Sequence, residues 1–115
     1  AIEYFWKNGS EHMNTNFGIA KEDGSTFQPD FLILFKDGRI GIFDTKAGKG
    51  FNENDNELKS NALQQYIVDE NKKGKNLVGG LVVQHKDKFY YYDRSVYSSF
   101  RNKTDEWKDF EELLK

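Results

Sequence analysis

Phe27-Gln28-Pro29-Asp30-Phe31-Leu32-Ile33-Leu34-Phe35-Lys36-Asp37-Gly38-Arg39-Ile40-Gly41-Ile42-Phe43-Asp44-Thr45-Lys46-Ala47-Gly48-Lys49-Gly50 is the stretch that decides the fold. Two apolar runs flank an Asp-Gly pair, which reads as a β-hairpin with strands over about 27–35 and 39–46. Each run carries an acid where an apolar residue would be expected, Asp30 on the first and Asp44 on the second. Side chains alternate along a strand, so Asp44 and Lys46 share one face while Phe43 and Thr45 share the other.

Two turns are compatible with this stretch. A two-residue loop at Asp37-Gly38 pairs Lys36 with Arg39 and sets Asp30 opposite Thr45. A three-residue loop, Lys36-Asp37-Gly38, with Gly38 in the left-handed conformation, pairs Phe35 with Arg39 and sets Asp30 opposite Asp44. The second register also places Leu32 against Ile42, Leu34 against Ile40 and Phe31 against Phe43. The first sets Leu34 against Gly41 and divides the apolar faces less cleanly, so the second is expected. A slip of one residue would turn every side chain to the other face.

Two carboxylates opposite one another repel. A divalent cation between them is a natural compensation, because hard cations take carboxylate oxygens. Lys46 adds a positive group able to orient a nucleophile or stabilise a phosphate in a transition state. Asp-x(13)-Asp-x-Lys on a hairpin is therefore a constellation for metal-dependent phosphodiester hydrolysis.

On these residues the chain resembles the PD-(D/E)xK nucleases: Pro29-Asp30 is followed by Asp44-Thr45-Lys46. The wider context is similar to the C-terminal nuclease domain of type III restriction enzymes and related helicase–nuclease proteins. Trp6-Lys7-Asn8 matches its aromatic-Lys-Asn start and Phe17-Gly18-Ile19 a Phe-x-Ile segment, and the likeness covers roughly residues 4–70. It implies a restriction-endonuclease-like α/β core: a mixed sheet of five or six strands, a crossover helix and a C-terminal helix. It further implies Mg²⁺ or Mn²⁺ held by Asp30, Asp44 and the Thr45 carbonyl, with Lys46 catalytic. The implied partners are DNA, an attached helicase/ATPase region and a methyltransferase subunit. Members often bring a polar residue from the following helix into the site; here Lys59 is expected as a catalytic and phosphate-binding residue, with Gln64 second and Lys49 as a further nucleic-acid contact.

The chain departs from the family at two places. Many members carry Glu where Asp44 stands, and members usually place another acid on a helix before the first strand. Glu3 and Glu11 are the early acids, and neither sits in a helical pattern. The alternative reading is thus a catalytically degenerate module that binds DNA or a partner protein. A third is a small β-rich interaction domain.

Length and composition bound these readings. At 115 residues the chain is expected to be one domain, excised from a longer polypeptide because it opens directly in strand-like sequence. The net charge of -2 excludes a globally basic nucleic-acid binder, so any DNA contact must come from a local patch. There is no cysteine, hence no disulfide framework or thiolate metal site, which fits an intracellular, cytoplasmic protein. No stretch has the apolar length of a membrane span.

Around the hairpin, residues 2–7 read as a strand, 11–16 as a loop, and Phe17–Lys21 as a short strand before a turn at 22–25. Ala47–Asn56 reads as a loop. Asp55 to about Asn71 reads as a helix, with Leu58, Ala62, Leu63, Tyr66 and Ile67 on one arc, Lys59 within it, and Gln64 and Gln65 largely outside. Lys59 in that arc is equally a stem that packs while its charge reaches the rim. Leu77–Gln84 is apolar enough for a central strand, with Gly79-Gly80 allowing close packing, parallel to the Asp44 strand across the helix. Phe89–Tyr92 reads as a further strand, whose four aromatics could form a nucleic-acid stacking surface but more often pack a strand on both faces. Thr104 reads as an N-cap for a helix over Asp105–Leu114, with Trp107, Phe110, Leu113 and Leu114 inward. His12 and His85 sit in no motif and receive no role.

Overall fold

The computed structural model describes residues 2–7, 18–46, 53–97 and 104–115, with the backbone alone at 6, 7, 46, 53, 54 and 104. The hairpin consists of β4 (Phe31–Phe35) and β5 (Ile40–Lys46). Its register is Phe31↔Phe43, Leu32↔Ile42 and Leu34↔Ile40, that of the three-residue loop. The Phe35 amide donates to the Arg39 carbonyl at 2.9 Å, and Gly38 has φ +93°. Only glycine takes that conformation without strain. Asp37 accepts from the Arg39 amide at 3.0 Å, and the Arg39 guanidinium lies 4.7 Å from the Phe35 ring centroid, so both ends of the loop are tied down.

The strand before the turn is shorter than its composition suggests. Phe27 belongs to a separate two-stranded ladder, in which β2 (Ile19–Ala20) pairs with β3 (Thr26–Phe27). Pro29 has no amide to donate, and it lies buried between β3 and β4 with Asp30 at the bend that follows.

The main sheet has six strands in the order β1-β4-β5-β6-β7-β8. β1 (Ile2–Lys7) forms one edge against β4, β6 (Leu77–His85) and β7 (Lys88–Tyr92) follow β5, and β8 (Lys108–Asp109) closes the other edge. All neighbours are antiparallel except β5 and β6, which are parallel, with Asp44 at Leu81. A parallel pair needs a crossover, and α1 (Glu53–Lys72) supplies it. The fold is therefore α/β, with a mixed sheet, a crossover helix and a short C-terminal helix, α2 (Phe110–Leu114). Among the described residues no helix is long and apolar enough to cross a membrane.

The two faces of the sheet carry different cores. On the α1 face Ile42 and Leu77 pack with Leu63, Ile67, Ile19 and Phe27. On the other face Ile33, Phe35, Phe43, Val82 and Tyr91 pack with Phe110. The end of β7 is buried from both sides: Tyr91 meets Phe43 and Phe110 edge-on, and Tyr92 lies against Trp107 and Tyr97. The strand is as expected, but only Tyr91 and Tyr92 are core; Tyr90 is half-buried and Phe89 is 38% exposed.

The C-terminal expectation is corrected. Thr104–Glu106 is a 3₁₀ turn, Lys108–Asp109 is a strand, and only Phe110–Leu114 is helical. The cap is Asp109, whose Oδ1 accepts from the Glu111 amide at 2.9 Å and the Glu112 amide at 3.3 Å. Trp107 and Phe110 stand three apart, which on a helix would put them on one face. They instead enter different clusters, Trp107 with Tyr92 and Phe110 with Phe43. Burying two large aromatics outweighs the weak helical preference of Asp105–Asp109.

Candidate active site

The β4–β5 ladder ends at Phe31↔Phe43, and Asp30 and Asp44 are the next residues outward on the two sides, Asp30 at a bend and Asp44 still in β5. The two acids differ in setting. Asp44 is only 4% exposed and lies on the α1 face, as Ile42 does. Asp30 is partly exposed, and its Oδ2 accepts from the Thr45 amide at 2.9 Å and from the Thr45 hydroxyl. Those donors compensate the Asp30 charge, so like-charge repulsion at the hairpin end is relieved within the protein itself. Asp30 thus precedes the strand and clamps the backbone of the residue after Asp44. The Lys46 backbone continues β5 opposite Val83; its side chain, together with Lys49, lies outside the described residues.

The burial of α1 is rotated relative to the expected arc. Leu63 and Ile67 face the sheet, with Ala62 and Tyr66 packed beside them. Asn56, Ser60 and Gln64, each one helical turn from the next, are buried at 2%, 0% and 6% exposure. Gln64 therefore does not fall outside the packed face. Its Nε2 donates to the Gly79 carbonyl at 3.0 Å and the Tyr92 carbonyl at 3.1 Å, fastening the helix to β6 and β7. This bridging accounts for Gln64 at that position and leaves it little surface for nucleic acid. Replacing it with leucine is expected to cost about 2 kcal/mol, because two buried carbonyls lose a donor. Urea unfolding of Gln64→Leu against the parent measures this, and an unchanged midpoint would show the bridge to be dispensable.

Lys59 reaches toward the β2–β3 ladder. Its Nζ is 3.3 Å from Asp55 Oδ2 and 5.8 Å from the Phe27 ring centroid, while Lys21 Nζ is 2.9 Å from Asp55 Oδ1. Two lysines share one carboxylate, which pins the β2–β3 ladder to the start of α1. The Lys21 hydrogen bond, then that of Lys59, holds the Asp55 carboxyl below its ordinary value of 3.8, with desolvation opposing. A depressed folded-state pKa gives stability that is present above the unfolded value and lost as pH falls through the folded one. The thermal-midpoint advantage of the parent over Asp55→Asn should thus be full at neutral pH and vanish in acid below about pH 4. An advantage constant with pH would remove the charge from the explanation.

A groove of about 630 Å³ lies between β2, α1 and Ser95–Tyr97, and neither Asp30, Asp44 nor Thr45 lines it. The acids of the hairpin are thus separate from this groove.

The residues fit a small hard cation by their chemistry. Two carboxylates and the Thr45 carbonyl offer oxygen alone, and Mg²⁺ is commonly held by one or two carboxylates with water in the remaining positions. Among the described residues no three His, Cys, Asp or Glu side chains converge. The buried polar residues Asn56 and Ser60 were not singled out from the sequence. The signal was present in the i, i+4, i+8 run Asn56-Ser60-Gln64, adjoining the apolar positions Leu63 and Ile67. Comparisons with protein-family models, curated proteins and solved structures found no significant match.

Proposed function

We propose that this chain is a metal-dependent DNA endonuclease domain with a restriction-endonuclease-like core. In this reading it is the cleavage module of a type III restriction enzyme or a helicase-linked nuclease. One observation carries the proposal: the Asp30 carboxylate accepts from Thr45, the residue between Asp44 and Lys46 on β5. The order of β4, β5, α1 and β6, with β5 and β6 parallel, supports it.

Asp30, Asp44 and the Thr45 carbonyl would hold Mg²⁺ or Mn²⁺. When bound, that ion polarises the scissile phosphate and lowers the pKa of a coordinated water. Lys46 would place the attacking water and offset developing negative charge. Thr45 holds Asp30 through its amide and hydroxyl, so the carboxylate is oriented before metal or substrate arrives. Base recognition and ATP use would belong to a methyltransferase subunit and an attached helicase region.

The Asp30–Thr45 pair also favours a second reading, a degenerate DNA- or protein-binding module, because that carboxylate is already compensated. Cleavage of supercoiled plasmid separates the two. The nuclease reading expects cleavage with Mg²⁺ or Mn²⁺ that is lost in chelator and in Lys46→Ala. Metal-independent behaviour, with Lys46→Ala equal to the parent, would leave the binding module.

A further inference from the structure

Two neighbouring residues hold a backbone conformation that side chains disfavour: Lys86 has φ +50° and Asp87 φ +65°. They form the two-residue turn between β6 and β7, closed by the pair His85↔Lys88. Positive φ at both central positions is the type I′ turn, whose usual residues are Asn-Gly or Asp-Gly. Aspartate tolerates the left-handed region, but a lysine there sets its Cβ against the backbone. Strain of this kind persists where the residue serves something other than stability, and it points from conformation to function.

The place of the turn says which function. Among the described residues the β5–β6 ladder ends at Lys46↔Val83, while β6 and β7 continue two residues further to His85↔Lys88. The ribbon therefore overhangs the end of the sheet at which Asp44 and Lys46 stand. Gln84 through Phe89 are all exposed, so the tip leaves the core on both faces. Side chains alternate along a strand, which puts His85 on the face of Leu81 and Val83, and Asp44 pairs with Leu81 on that same face. Lys88, paired with His85, joins it. Four strand residues at about 3.3 Å separate Leu81 from His85, so the tip stands about 13 Å beyond Asp44 along the sheet. That is about four base-pair steps of a duplex at about 3.4 Å each. Lys21, Lys59, Lys73, Lys75, Lys108 and Lys115 are each held by a carboxylate. Lys86 and Lys88 have no carboxylate partner among the described residues.

We propose that the β6–β7 turn is a DNA-backbone contact, with Lys86 and Lys88 set against phosphates of a duplex that reaches the Asp44 end of the sheet. This rests on the DNA reading proposed above and names the part of the surface that carries it. Lysine is a compact point charge on a flexible stem, suited to phosphate and indifferent to base sequence. In a chain of net charge -2, a local pair of unneutralised lysines is what a phosphate backbone would find.

The test is binding of the full chain to a short labelled duplex, followed by fluorescence anisotropy in chelator across a salt series. Lys86→Asn and Lys88→Ala should each reduce the slope of log Kd against log salt by about one, the loss of one phosphate contact. Lys72→Ala removes the same charge from the last turn of α1, beside the Asn71–Leu77 hydrogen bonds at the opposite end of β6, and should leave the slope unchanged. Asparagine suits the left-handed backbone, so Lys86→Asn should also raise the urea midpoint: a more stable protein that binds DNA less well. If the parent binds and all three variants share its slope, the proposal is overturned and the nuclease reading stands. If the parent binds no duplex, both fall. If the turn variants lower the slope while plasmid stays uncut by the parent in Mg²⁺, the contact stands and the nuclease reading fails.

Discussion

Gly80→Ala is expected to destabilise the protein by at least about 3 kcal/mol, the scale of severe overpacking against a backbone that cannot yield. A Cβ at position 80 would lie 1.7 Å from the Tyr92 carbonyl oxygen and 2.7 Å from its carbon, with Gln64 Nε2 at 3.3 Å. The atoms in the way are main chain of β7, fixed by the antiparallel ladder Leu81↔Tyr92 on one side and the Gln64 bridge on the other. Relief would mean moving β7 away from β6, which breaks the packing of Tyr92 with Trp107. Gly79 is constrained in the opposite direction: its φ is +151°, and a Cβ there would sit 2.0 Å from the Ile42 carbonyl oxygen. The informative control is Gly74→Ala. Gly74 has φ +98° with nothing within 4 Å, so alanine there meets only the strain of a side chain in left-handed backbone, about 1–2 kcal/mol. Chemical denaturation of both variants separates collision from conformational cost. Equal midpoints would show that β6 and β7 are not packed as described.

The consecutive glycines were legible as a point of close approach; what approaches was not. The same division runs through the fold. The hairpin could be read to its register because Asp37-Gly38 limits the turn to two choices and the apolar pairs choose between them. The crossover and the parallel β6 followed from a helical pattern placed between two apolar strands. Local signals failed where tertiary burial decided. Trp107, Phe110 and Leu114 mimic a helical stripe, yet Trp107 and Phe110 serve opposite sides of the sheet. Pro29 stopped the ladder earlier than the apolar count suggested. The polar stripe of α1 was misplaced because a helical wheel ranks hydrophobicity, whereas Gln64 is buried for two carbonyls distant in sequence. For the site, the sequence supplied the acids and the hairpin register that leads to them, but the Thr45 clamp on Asp30 depends on a bend that only the folded chain defines.

In the nuclease proposed above, Asp44→Asn should abolish cleavage, with a loss of at least about 10³-fold, while leaving the fold intact. The substitution preserves shape but removes the charge, so one of the two acids available to a cation becomes a neutral amide. Losing one preorganised electrostatic partner of a transition state costs about 10²–10³ in rate, and here the same change also weakens the hold on the ion. The companion measurement does not depend on turnover. A ligand that binds only the folded state stabilises it by about 2.7 kcal/mol at a hundred times its Kd, so saturating Mg²⁺ should raise the melting temperature of the parent. In Asp44→Asn that rise should disappear. The melting temperature without metal should hold or increase, since a carboxylate at 4% exposure pays desolvation that an amide largely avoids. This pairing separates the competing readings of the hairpin. A structural Asp44 would lower the metal-free melting temperature when neutralised and leave the response to Mg²⁺ unchanged. A catalytic Asp44 moves the two quantities the other way, because its charge is placed for a cation and a phosphate rather than for the stability of the sheet.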